Sequence, residues 1–147
     1  MVTRFQLHLV HWKRSAYPSP NVAAGEGDGL AVLGLFVDVG EEDHPEFAKL
    51  IPYLEKVTHC GEKVPIQEEI DPSKFLPNKD HRRMWHYEGS LTTPPLLESV
   101  LWIVFQNPIK ISAEQVIFKL AAFFGSFPLR FALDESHEES TLQFQRG

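Results

Sequence analysis

From Leu30 to Val39 the chain is apolar at nearly every position. A run of that kind has no polar face to turn toward water, so it fits a strand covered on both sides, inside a sheet with other layers against it. A second strand is expected at Phe5 to Trp12, where Leu7, Leu9 and His11 alternate with His8, Val10 and Trp12. The two histidines then point to opposite sides of the sheet, and His11 is expected to be buried and hydrogen-bonded. Between these strands, residues 13–29 carry Pro18, Pro20, Gly25, Gly27 and Gly29 among polar residues and read as a loop.

Pro45 falls where a first helical turn tolerates it, and Phe47, Leu50, Ile51, Leu54 and Val57 share one face, which predicts a surface helix over 45–58. A mixed stretch with Val64-Pro65-Ile66 and a turn at Asp71-Pro72-Ser73 follows. Leu96 to Phe105, rich in β-branched and aromatic residues, predicts another central strand. Ser112 with Gln115 three residues on has the form of a reciprocal helix cap, opening a helix through about Phe124 that Gly125 ends. No internal repeat or low-complexity tract is present.

At 147 residues the chain has the size of one domain, long enough to bury roughly 68–70% of its unfolded surface. Its 43% hydrophobic and 23% charged residues are those of a globular protein, which excludes disorder along the whole length. The balance of 14 basic against 20 acidic side chains, with no Lys/Arg cluster, offers no path for a phosphate backbone, so nucleic acid is not an expected partner. Cys60 is the only cysteine, so neither an internal disulfide nor a cysteine-based metal site can form. A free thiol suits a reducing compartment. Met1-Val2-Thr3-Arg4-Phe5 leads straight into a strand pattern without the apolar core of a signal peptide, and no stretch of 18 apolar residues suggests a membrane span.

His8 is the residue with the sharpest alternative readings. Alone, a histidine on a strand among Leu and Val is a core side chain with a satisfied hydrogen bond. A catalytic metal needs about three protein ligands and an open position, which one histidine does not provide. The surrounding motifs bear on that choice. Gln6-Leu7-His8-Leu9-Val10-His11-Trp12, Asp28-Gly29-Leu30-Ala31-Val32-Leu33-Gly34 and the block W-H-Y-E-G-S-L-T-T-P-P-L-L-E-S-V-L-W-I-V from Trp85 to Val104 together resemble the second half of an α-class carbonic anhydrase.

That resemblance implies zinc as cofactor and His8 as the third zinc ligand, in a strand whose usual form is E-L-H-L-V-H-W. Gln6 stands where the family has a Glu that accepts a hydrogen bond from the ligand histidine; a neutral amide accepts the bond without supplying the charge. The other two ligands of the family come from an H-x-H pair on an adjacent strand, and no H-x-H occurs in these 147 residues. His44, His59, His81, His86 and His137 match no ligand position. Thr92 matches the threonine that accepts the proton of a metal-bound hydroxide and so aims its lone pair at the electrophile. Thr93 matches a neighbour lining the substrate site, although T-T-P-P by itself also reads as a rigid extended turn. Val10, Val32, Leu91, Val100 and Trp102 match the apolar wall that an uncharged carbon dioxide requires, and each also reads as core. Tyr87 matches a member of the hydroxyl network, and Glu98 a position near the site.

The implied fold is α+β, mainly β: a partial carbonic anhydrase fold with a twisted, mostly antiparallel sheet and flanking helices. Residues 1–133 form the partial domain, with the resemblance clearest over 5–118, and 134–147 are expected to be a divergent, disordered tail. Strand edges left uncovered predict poor independent stability or association with another chain. Secreted members place a disulfide cysteine where this chain has Leu96, which points to the cytoplasm. The implied activity is hydration of carbon dioxide to bicarbonate, with the chain inactive by itself because it has one zinc ligand of three. The alternative is a non-catalytic, metal-free interaction module derived from the same family.

Overall fold

The computed structural model describes residues 5–56, 64–116, 130–132 and 141–146. Among these residues, six strands form one sheet: β1 (Phe5–Trp12), β2 (Leu30–Gly40), β3 (Met84–Gly89), β4 (Val100–Ser112), β5 (Arg130–Ala132) and β6 (Thr141–Arg146). Their order is β3-β4-β2-β1-β6-β5. Every neighbouring pair is antiparallel except β2 with β4, so the expected mostly antiparallel sheet is present. Helices α1 (Pro20–Ala24) and α2 (Pro45–Leu54) accompany it, and a further helical turn stands at 113–116.

Alternation along the strands divides the interior in two. Leu7, Leu9, Leu35, Val37, Phe105, Ile109 and Ile111 turn to one face, where α2 buries Phe47, Leu50 and Leu54 against them. On the other face Leu30, Val32, Val100 and Trp102 pack with Ala23 of α1. The apolar run of β2 is thus explained: it has β1 on one side, β4 on the other, and a hydrophobic cluster against each face. Its last part departs from expectation, since Val39 is 55% exposed beyond the covering layers.

Local chemistry sets the ends of α2. Pro45 supplies a helical φ at the first position, and the His44 ring accepts a hydrogen bond from the Phe47 amide at 3.3 Å. Pro52 lies inside the helix and removes one backbone donor, in keeping with an end at Leu54 rather than 58; residues 57 and 58 lie outside the described residues. The cap predicted at Ser112 forms in both directions: Ser112 Oγ accepts from the Gln115 amide at 3.2 Å, and Gln115 Oε1 accepts from the Ser112 amide at 3.3 Å. Gln115 also bonds both the amide and the carbonyl of His44, fastening the start of α2 to the end of β4. The helix is described over 113–116, and its extent to Phe124 lies outside the described residues.

Several boundaries differ from the sequence reading. The segment 13–29 is not all loop: Ser19 caps α1, and its buried Ala23 belongs to the second cluster. Small residues hid this helix, because five residues are too few for an apolar periodicity to show. The strand expected from Leu96 begins at Val100 and runs on to Ser112; Leu96 has φ 59°, a left-handed conformation that no strand accommodates. His11 is half-buried rather than buried, and its Nδ1 is 3.2 Å from the Leu9 carbonyl. Within the expected tail, 141–146 forms β6, paired with β1 from Phe5↔Arg146 to Val10↔Thr141. Thr-Leu-Gln-Phe-Gln-Arg alternates as strands do, and an open edge on β1 gives it hydrogen-bond partners that composition alone did not reveal.

His44 yields a pH prediction. Burial lowers its pKa from the ordinary histidine value, outweighing the opposing Lys74 backbone hydrogen bond and the Glu46 charge. The cap needs a neutral ring nitrogen as acceptor, and the ring stacks on Phe75 at 5.2 Å. Because the folded pKa lies below the unfolded one, this contribution is complete above about pH 6.5 and is lost as pH falls toward the folded pKa. His44→Asn, which caps without titrating, is expected to flatten this part of a melting-temperature profile between about pH 7 and 5.

Candidate active site

On the face opposite α2, cross-strand pairing aligns side chains in rows. Val10 pairs with Val32, Val32 with Trp102, and Trp102 with Tyr87. The next row runs His8, Gly34, Val104 and Trp85, and Gln6 pairs with Phe36 beyond it. Above these rows lies an open cleft of about 670 Å³ lined by Gln6, Phe36, Trp85, Tyr87, Thr92 and Trp102, among others.

Trp102 is the organising side chain. Its Nε1 donates to the Ser90 carbonyl at 3.0 Å, its ring stacks with Tyr87 at 6.4 Å, and His8 meets it edge-on at 4.8 Å. Gly89 makes room for the indole, since a Cβ there would lie 3.0 Å from Trp102 Cδ1. His8 is 1% exposed, and its Nε2 sits 3.0 Å from Gln6 Oε1. An amide oxygen only accepts, so Nε2 carries the proton and Nδ1 holds the lone pair, the nitrogen that could bind a metal.

The structure therefore brings most of the expected residues together. Gln6, Tyr87, Thr92 and Trp102 line one cleft, and His8 touches two of them from beneath. Val10, Val32, Leu91, Val100 and Trp102 belong to one apolar cluster beside it. Thr93 does not line the cleft; its carbonyl accepts from the Leu96 amide at 3.0 Å in the turn beyond. Phe36, Trp85, Ser90 and Val104 line the cleft without having been singled out. Two-residue periodicity held the signal for two of them: Trp85 shares a strand face with Tyr87, and Val104 with Trp102.

A smaller depression of about 400 Å³ lies across the other face, along the row His11, Ala31, Leu101 and Glu88. At its rim Lys13 donates to Asp28 at 2.5 Å, and the Tyr17 hydroxyl donates to the same carboxylate. These bonds hold Asp28 below the usual carboxylate range, and the Asp28 hydrogen bond is the largest cause pushing the Tyr17 phenol up to about 12.

Residues 2–123 match the family model for the eukaryotic-type carbonic anhydrase. The chain belongs to that family. It is also 40% identical over 111 residues to carbonic anhydrase 1 of Monodelphis domestica, an alignment that takes in 76% of this chain and 41% of that relative. The chain thus spans about two fifths of the length of this carbonic anhydrase. Zinc is the metal of the family, and a three-ligand zinc site is the arrangement against which His8 is to be judged. Among the described residues, no three His, Cys, Asp or Glu side chains come together to hold a metal ion. The residues present at His8 do not fit a zinc centre by themselves. Among the described residues, no helix is long and apolar enough to cross a membrane.

Proposed function

We propose that the cleft is the substrate-facing half of a carbon dioxide hydration site. The observation that carries this reading is the convergence of Thr92, the Trp102 wall and His8 on one side of one sheet. Carbon dioxide is uncharged, and an apolar wall of Val10, Val32, Leu91, Val100 and Trp102 suits it without any charged anchor. Thr92, exposed at the cleft, has a hydroxyl that both donates and accepts and so can orient an oxygen nucleophile toward that wall. Gln6 keeps the imidazole of His8 in one tautomer and one orientation. Bicarbonate is the product this reading assigns. The single free Cys60, and Leu96 in place of a cysteine, support a cytoplasmic setting.

Hydration itself would require two further zinc ligands from polypeptide that these residues do not include, so the chain by itself is read as inactive. The test is zinc stoichiometry on the purified chain after dialysis against a weak chelator, with an inhibitor-sensitive hydration assay on the same sample. The expected result is zinc far below equimolar and no inhibitor-sensitive rate. Equimolar zinc, with activity lost in His8→Ala, would mean that the ligand set is complete within the chain and would sink the reading of inactivity.

A second reading is favoured by the pairing of β6 with β1: a metal-free interaction module whose sheet has been completed another way.

A further inference from the structure

We infer that β6 occupies the sheet position from which a metal site at His8 would have to be completed, and that it closes this edge with residues unable to bind the metal. The inference rests on the reading of His8 as a metal-facing histidine. In an antiparallel pair, directly opposite residues share a face with Cβ atoms about 4.5–5.5 Å apart, and diagonal neighbours lie about 7–8 Å apart. Zinc–nitrogen bonds are about 2.0–2.1 Å, so any further ligands that the sheet supplies stand at such neighbouring positions.

The register leaves few candidates. On one flank of β1, His8 lies opposite Gly34, which has no side chain, with Val32 and Phe36 on the diagonals. On the other flank it lies opposite Gln143, with Thr141 and Gln145 on the diagonals. None of these residues is His, Cys, Asp or Glu. Residues 143 and 145 are two apart in the strand and stand at the register positions level with His8 and Gln6. The strand also lies outside the family match, which ends at residue 123. A strand foreign to the family match thus fills a place beside β1 where an i, i+2 pair of ligands could converge on His8. The sheet gains a hydrogen-bonded partner for β1, and a ligand-bearing strand could enter only by displacing it.

The register predicts a gain of function. Gln143→His/Gln145→His in the full chain should bind about one equivalent of zinc, as in other three-histidine sites. Binding should be lost on adding His8→Ala, whereas the Gln143→His single variant should show at least tenfold weaker binding. Elemental analysis and cobalt substitution, which gives a visible spectrum for a tetrahedral site, read this without any activity assay. Pairing is tested separately by Val10→Cys/Thr141→Cys on a Cys60→Ser background, oxidised in chelator; these opposite positions are close enough to form a disulfide.

A disulfide together with His8-dependent zinc in the double-histidine variant upholds the inference. Failure of the cysteine pair to cross-link overturns the placement of β6 and leaves the reading of the cleft standing. A cross-link without zinc in the double-histidine variant overturns the inference by removing His8 as a metal position, and that part of the proposed function falls with it. Equimolar zinc in the unaltered chain overturns the inference and the proposed inactivity together.

Discussion

Trp102→Ala is expected to destabilise the chain by about 3–5 kcal/mol, the range for removing a large aromatic side chain from a packed interior. The side chain is 6% exposed and joins Val32, Val100, Leu30 and Ala23 in the cluster over the cleft face. Its loss would remove that packing, leave the Ser90 carbonyl without its indole donor, and uncover one side of His8. For a domain whose whole stability is about 5–15 kcal/mol, this is a large share. Trp102→Phe separates the causes: most of the apolar body stays and the hydrogen bond goes, so a loss of about 1 kcal/mol beyond the packing change is expected. Urea midpoints for the two variants check this, and equal small shifts would show that the cluster does not depend on Trp102.

Why some of this was legible in the sequence and some was not follows from the range of each signal. The strands Phe5–Trp12 and Leu30–Gly40 could be read because their burial is set by alternation within a few residues. The Ser112–Gln115 cap was legible for the same reason: both partners are local. The cluster of Val10, Val32, Leu91, Val100 and Trp102 was identified only through family resemblance, because each is equally a core residue by composition. Phe36 escaped notice because its place at the cleft depends on the register of β2 with β1, where it stands opposite Gln6. The pairing of 141–146 escaped for a stronger reason. Its polar, low-hydrophobicity flank reads as tail, and what makes it a strand is the open edge of β1, a partner more than a hundred residues away in the chain. Edge completion is a property of the assembled sheet, and local sequence carries little of it.

Gly29→Ala is expected to be among the most damaging single substitutions that add only one methyl group. A Cβ at residue 29 would lie 1.7 Å from the Ala23 carbonyl oxygen and 2.5 Å from its carbon, so the obstacle is backbone and cannot swing aside as a side chain could. Ala23 is fully buried in the cluster with Leu30, Val32, Val100 and Trp102, which ties α1 to the cleft face. Gly29 is tied as well: its amide donates to Glu26, its carbonyl accepts from Lys13, and Leu30 begins β2 immediately after it. Relief therefore requires either lifting α1 from the cluster or breaking the entry to β2, and a cost of about 3 kcal/mol or more is expected. Gly27→Ala supplies the contrast two residues away. A Cβ there meets nothing within 4 Å, so the substitution should be neutral or stabilise by up to about 1 kcal/mol through the unfolded chain. Thermal melts of the two variants should differ by about 10 °C or more. Similar melting temperatures would mean that α1 does not sit against the start of β2, and that the cleft face lacks the layer that buries Val32 and Trp102.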